Sequence, residues 1–207
     1  MVDHVSPIDV RILVDDSGDA DYSLYLEHTY PQFNRQVHHP TRRGLGGAVR
    51  TAWETALSYD DVTHVWHNED DQVILSAIDL TAFAALLESQ PHLAQVGAKR
   101  TAYSPEEHAA GGVVEAHPEF YAERTAGGIT WTETDHLFVF GPSLIPRRVI
   151  ECALTNADVF LERDVTDALW AHGYRSCYWG AMYDPPLCDH IGVERSAGWT
   201  TSASYVP

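Results

Sequence analysis

Three consecutive carboxylates, Glu69-Asp70-Asp71, close the apolar run Val65-Trp66-His67-Asn68. A strand can carry Val65 and Trp66 into a core, but unpaired carboxylates cannot follow them there. Acids bunched at a strand's C-terminal end repel one another unless a cation sits among them. A hard divalent ion with oxygen ligands fills that role. Glu69 and Asp71 are two residues apart, so on an extended segment they point the same way and can converge on one ion. An acidic, solvated turn is the plainer reading of the same residues.

Four further groupings carry chemistry. Val14-Asp15-Asp16-Ser17-Gly18 follows an apolar run, in the crevice where open α/β sheets bind ligands. Its carboxylates either accept from a base edge or ribose hydroxyls, or form an Asx-type turn. Arg43-Gly44-Leu45-Gly46-Gly47-Ala48 runs into a helix; glycines permit close backbone approach and a helix N-terminus favours an anion. The Lys-Ser/Thr of a P-loop and the GxGxxG spacing are both absent. Glu162-Arg163-Asp164 either supplies a base beside an acceptor hydroxyl or caps a helix, with Asp164 as N-cap and Asp167 completing a box. Asp189-His190-Ile191-Gly192 offers His190 as an imidazole ligand to the same metal, against the ordinary reading of a surface histidine.

The elements that must position these residues alternate, as in an α/β sheet. Strands are expected at Val10–Val14, Gln36–His39, Val62–Trp66, Leu93–Ala98 and Leu137–Pro142. Helices are expected from about Ala48 to Leu57, where Val49, Ala52, Trp53, Ala56 and Leu57 share a face, and at Leu75–Ser89, Arg147–Leu154 and Asp164–His172. Between 101 and 131, Gly111-Gly112, Pro118 and Gly127-Gly128 break any long element, so loops with short pieces are expected. After Asp189 the sequence is polar and irregular, a candidate mobile tail.

A chain of 207 residues suits one full-sized domain, and 44% hydrophobic with 21% charged residues is ordinary for a globular protein. No apolar run approaches a membrane span and Met1 to Pro7 lacks the pattern of a signal peptide, so a cytoplasmic location is expected. Cys152, Cys177 and Cys188 show no CxxC spacing and read as reduced thiols. A formal charge of −17 disfavours nucleic-acid backbones and anionic membranes, while leaving room for a small anion if a metal and a few arginines reverse the field locally. Lys99 is the sole lysine, which reads as the GC-rich coding bias met in actinobacteria and their phages.

In order and spacing these pieces resemble the family 2 glycosyltransferases of the type A, nucleotide-sugar-binding fold. The resemblance rests on Val14-Asp15-Asp16-Ser17-Gly18, Gly44-Leu45-Gly46-Gly47-Ala48, Glu69-Asp70-Asp71 in the place of a D-x-D, Gly141-Pro142-Ser143, Glu162-Arg163-Asp164 with Gly173, and His190-Ile191-Gly192. It runs from about residue 10 to 192. It implies a single Rossmann-like mixed sheet flanked by helices, with a nucleotide-sugar half at about 8–100, an acceptor half at about 101–192 and a tail at 193–207.

The activity so implied is an inverting, metal-dependent transfer from a nucleoside-diphosphate sugar, UDP-sugar favoured, to the hydroxyl of a glycan, protein or small molecule. Asp15, Asp16, Arg43, Gly44, Asp70 and Arg195 would hold the donor, Glu69, Asp71 and His190 would ligate Mn²⁺ or Mg²⁺, and Glu162 or Asp164 would be the base. The family begins with a strand and helix before the V-D-D turn, whereas fourteen residues precede Asp15. Either a start codon was assigned late, or a partner chain (a second copy included) completes the sheet, or the chain is an inactive, glycosyltransferase-like binding module.

Overall fold

The computed structural model describes residues 4–102 and 104–191. The donor candidate Arg195, Gly192 of the H-x-G and the tail lie outside the described residues. In chain order the first half comprises β1 (Val5–Ser6), β2 (Ile12–Asp15), α1 (Ala20–Thr29), β3 (Arg35–His38), α2 (Gly44–Leu57), β4 (His64–His67), β5 (Gln72–Ile74), β6 (Ile78–Asp79), α3 (Leu80–Ser89) and β7 (Leu93–Gly97). The second half comprises α4 (Pro105–Ala110), α5 (Val113–Ala116), β8 (Tyr121–Ala126), β9 (Ile129–Thr134), β10 (Ser143–Pro146), α6 (Arg147–Asn156), α7 (Glu162–Ala171), β11 (Arg175–Trp179) and β12 (Cys188–His190).

A six-stranded mixed sheet, ordered β4-β10-β7-β11-β9-β8, forms the centre. Its two faces are packed by helices, and adjacent residues of a strand divide between them as the pleat requires. Trp66 and Leu144 turn to the layer filled by Leu80, Phe83, Leu86 and Leu87 of α3. Val65 and Ile145 turn to the layer filled by α2, α6 and α7 through Trp53, Val149, Ile150, Val165 and Leu169. The α/β class read from the sequence is thus observed, as a sheet flanked by helices. Among the described residues, β2 pairs in parallel with β3 and β1 in parallel with β6, as two small sheets beside the central one.

Several boundaries differ from the sequence reading for identifiable reasons. The expected strand Leu137–Pro142 is a loop, because its amides are taken by the first turn of α7. Phe138 N–H donates to Thr166 Oγ1 at 2.9 Å and Phe140 N–H to Glu162 Oε1 at 2.7 Å. The strand lies just beyond, at β10. The helix expected at Leu75 starts at Leu80, where the Asp79 side chain accepts from Thr81 N–H, and the preceding residues form β5 and β6. Gly127 and Gly128, read as breakers, instead turn the β8–β9 hairpin with φ of 60° and 80°. Helix α1 escapes the periodicity reading because only Leu26 is buried; Asp19 caps it through Asp21 and Tyr22 amides.

Candidate active site

Strand β4 ends at His67 and delivers the three acids to the rim of the sheet. Burial, then the neighbouring charges of Asp71, Glu162 and Asp70, push the Glu69 pKa from 4.5 up to about 8. Asp71 sits in the turn before β5, and β12 pairs with β5 so that His190 stands opposite Gln72. The Ile191 amide closes this junction on Asp71 O at 2.8 Å. His190 Nε2 thereby comes 3.4 Å from Asp71 Oδ2. Asp71 Oδ1 is buried and accepts no hydrogen bond among the described residues.

Glu162 reaches the same place from the far end of the chain. It is the first residue of α7, and the helix N-cap Leu161 makes no side-chain cap bond, so the expected Asp164–Asp167 capping box is not what starts this helix. Burial raises the Glu162 pKa, opposed by the Phe140 amide and by the charge of Arg100. Its position is fixed by an aromatic cluster. The fully buried Trp53 of α2 meets Phe138, Phe140 and Phe160 edge-on, with centroids 6.0, 5.9 and 5.2 Å away. Gly46 lets α2 approach the Phe160 carbonyl so closely that a Cβ would lie 1.9 Å from its oxygen. Asp164 is two helical positions on from Glu162, about 200° around the axis, and so projects to the other side of α7. His190 thus stands beside Asp71, and the charges of Asp71 and Glu162 both act on Glu69, while Asp164 faces away from Glu162 around α7.

The Val-Asp-Asp turn is built differently from a simple exposed carboxylate pair. Asp15 accepts from Ser17 N–H at 2.9 Å and Ser23 Oγ at 2.6 Å, with His38 Nδ1 at 3.1 Å. Burial alone would raise its pKa, but these bonds prevail and hold it at about 2. Asp16 occupies the N-terminus of α2. Its oxygens accept the Arg43 and Gly44 amides, both at 2.8 Å, and His39 Nδ1 lies at 2.7 Å. Burial pushes Asp16 upward as well, yet the Arg43 amide, His39 and the Gly44 amide bring it below the ordinary carboxylate value. This cap explains why α2 begins at Gly44 rather than Ala48, and it places a carboxylate of the chain at the site where the sequence suggested a ligand anion. The Arg43 side chain and Asp70 are exposed.

Two cations near the acids were not singled out from the sequence. Arg100, just past β7, pairs with Glu107 at 2.6 and 2.8 Å and its charge reaches Glu162. Lys99 is buried and donates to Glu115 Oε1 at 2.8 Å. Both follow a strand that is buried throughout, but nothing in the sequence there ties a basic residue to the distant Glu162. Next to them, the Thr101 hydroxyl donates to Asp189, the neighbour of His190.

Among the described residues no three His, Cys, Asp or Glu side chains converge on one point. The donor set is nonetheless of the right chemistry for a divalent ion: hard carboxylate oxygens, one of them Asp71 Oδ1, which accepts no hydrogen bond among the described residues, beside Glu69, whose pKa burial and neighbouring acids raise.

No family model and no curated protein matches the chain. Among solved structures it is similar to A197 from STIV, with a TM-score of 0.50 and 15% identity over 84% of this chain and 82% of that one. That likeness extends to the α/β fold. No helix among the described residues is long and apolar enough to cross a membrane.

Proposed function

We propose that the chain is a metal-dependent glycosyltransferase of the type A fold, moving a sugar from a nucleoside-diphosphate sugar to an acceptor hydroxyl with inversion. The observation that carries this reading is the meeting of Glu69, Asp71 and Glu162 at one rim of the sheet, from segments far apart in sequence. A purely structural cluster has little reason to bring three partly buried acids under one another's charge.

In this account Asp71 and Glu69 hold Mn²⁺ or Mg²⁺, with His190 beside Asp71. When bound, the ion neutralises the charge that builds on the departing diphosphate. Glu162 is the base. Its pKa, raised by burial, makes it a stronger base than an ordinary carboxylate, and the Phe140 amide donates to its Oε1. The acceptor oxygen, losing its proton to Glu162, forms the new bond to the anomeric carbon as the bond to the diphosphate breaks. Asp15 and Asp16 act through the turn they lock, which sets the start of α2 and with it the exposed Arg43 side chain at the donor end. Asp70, exposed at the same turn, completes the donor contacts among the described residues.

Donor hydrolysis or transfer, assayed with UDP-sugars, should stop in excess EDTA and return on adding Mn²⁺. Glu162→Gln should abolish transfer while leaving diphosphate binding intact. Turnover that continues undiminished in chelator removes the metal from this account.

A second reading, an inactive module that pairs with a partner chain, is favoured by one observation. Among the described residues β2 pairs with β3 and β4 with β10, so each strand has a further edge outside these ladders. Diphosphate binding without any turnover would favour it.

A further inference from the structure

Beside the acidic rim lies a cavity of about 270 Å³, walled by Lys99, Arg100, Thr101, Gly112, Glu115 and Pro185. It is smaller than the roughly 300–1,000 Å³ of a drug-sized ligand pocket and is scaled to one small ring. Its charges are already spoken for. Lys99, with its side chain 5% exposed, is held by Glu115 Oε1 at 2.8 Å and by the carbonyls of Met182 and Asp184, both at 3.1 Å. Arg100 is paired with Glu107. An anion entering here would find no uncommitted ammonium.

What the cavity lacks is a donor. Glu115 Oε2 is buried against Gly112 and accepts no hydrogen bond among the described residues, although its other oxygen is satisfied. A buried carboxylate oxygen left without a donor is costly, and a hydroxyl group supplies one. At the rim stands Tyr183, 67% exposed, next to Pro185 and Pro186. An exposed ring over a polar cavity offers an apolar face to the C–H side of a ligand whose other side is hydroxylated. These features describe a neutral polyol.

The geometry points to this cavity as a monosaccharide-binding subsite, with Glu115 Oε2 accepting from a sugar hydroxyl and Tyr183 stacking on the ring. It adjoins the proposed chemistry through two wall residues: Arg100, whose charge acts on Glu162, and Thr101, whose hydroxyl donates to Asp189 next to His190. Taken with the proposed function, on which this step rests, the subsite would receive the acceptor sugar.

Saturation-transfer NMR of the full chain, without metal or nucleotide, against free glucose, galactose, mannose and N-acetylglucosamine tests the assignment. Transfer to the ring protons of at least one sugar is expected. Tyr183→Ala, a change at an exposed ring, should weaken that binding roughly five- to tenfold, and Glu115→Gln should weaken it further. If the latter variant does not fold, Tyr183→Ala decides alone. No transfer to any of the four sugars, or undiminished binding in Tyr183→Ala, would overturn the subsite. Because neither metal nor diphosphate is present, such a failure is distinct from loss of the metal-dependent activity.

Discussion

The carboxylate of Glu162, on the first turn of α7, bears on that of Glu69, at the end of β4, strongly enough to help hold Glu69 protonated well above the usual range. Neither residue's immediate neighbours in the sequence predict this. It follows from Phe138 and Phe140 giving their amides to α7 and their rings to Trp53.

Stability should fall as pH rises between 4.5 and about 8. In that window the folded chain keeps the Glu69 proton that the unfolded chain has released, so raising the pH favours unfolding, by roughly 1 kcal/mol per pH unit from this one group. Burial of Glu162 adds to the same slope. Urea midpoints measured across the window should show the decline, and Glu69→Gln should flatten it. A wild-type profile already flat across the window would mean that Glu69 is ionised throughout.

Mn²⁺ should oppose that decline. A ligand carboxyl must lose its proton to bind metal, so the gain in melting temperature from Mn²⁺ should grow as pH approaches 8. Asp71→Ala should remove the gain without unfolding the chain, since among the described residues Asp71 Oδ1 accepts no hydrogen bond and Oδ2 meets only the His190 ring at 3.4 Å. A gain independent of pH, or retained in that variant, would place the ion elsewhere.

Asp16→Ala should cost about 2 kcal/mol, because the Arg43 and Gly44 amides lose a charged acceptor at the start of α2. The neighbouring Asp15 works in the opposite sense to Glu69. Its pKa is depressed, so its contribution is present above pH 3.8 and is lost as pH falls toward 2. Denaturant melts of Asp16→Ala and Asp15→Ala at neutral and acid pH check the pair.

Gly46→Ala should destabilise by about 3 kcal/mol, since a Cβ there meets the Phe160 backbone oxygen at 1.9 Å and that backbone leads directly into Glu162. Reduced transfer with unchanged Mn²⁺ affinity is the expected accompanying change. Wild-type melting behaviour would show that α2 and the Phe160 segment separate more readily than the packing implies.

Much of the arrangement was legible from the sequence where burial and periodicity coincide. Strand β7, the helix carrying Val49 and Trp53, and the acids following β4 lie within a few residues of their expected places. What escaped depended on side chain to backbone bonds across long separations. Glu162 turns Phe140 from a strand into a loop, and Asp16 extends α2 back to Gly44. The hairpin at Gly127-Gly128 escaped because β8, exposed along most of its length, carries little hydrophobic pattern. Arg100 escaped because a basic residue after a strand has no meaning until Glu162 is seen beside it.

The most direct measurement is the anomalous difference density of a crystal soaked with Mn²⁺ and uridine diphosphate. The account predicts a single peak touching Asp71 and Glu69, bridged to the diphosphate, with Glu162 within reach of the donor's departing bond. Density for the diphosphate with no manganese at those two carboxylates, or no density for either, would contradict it.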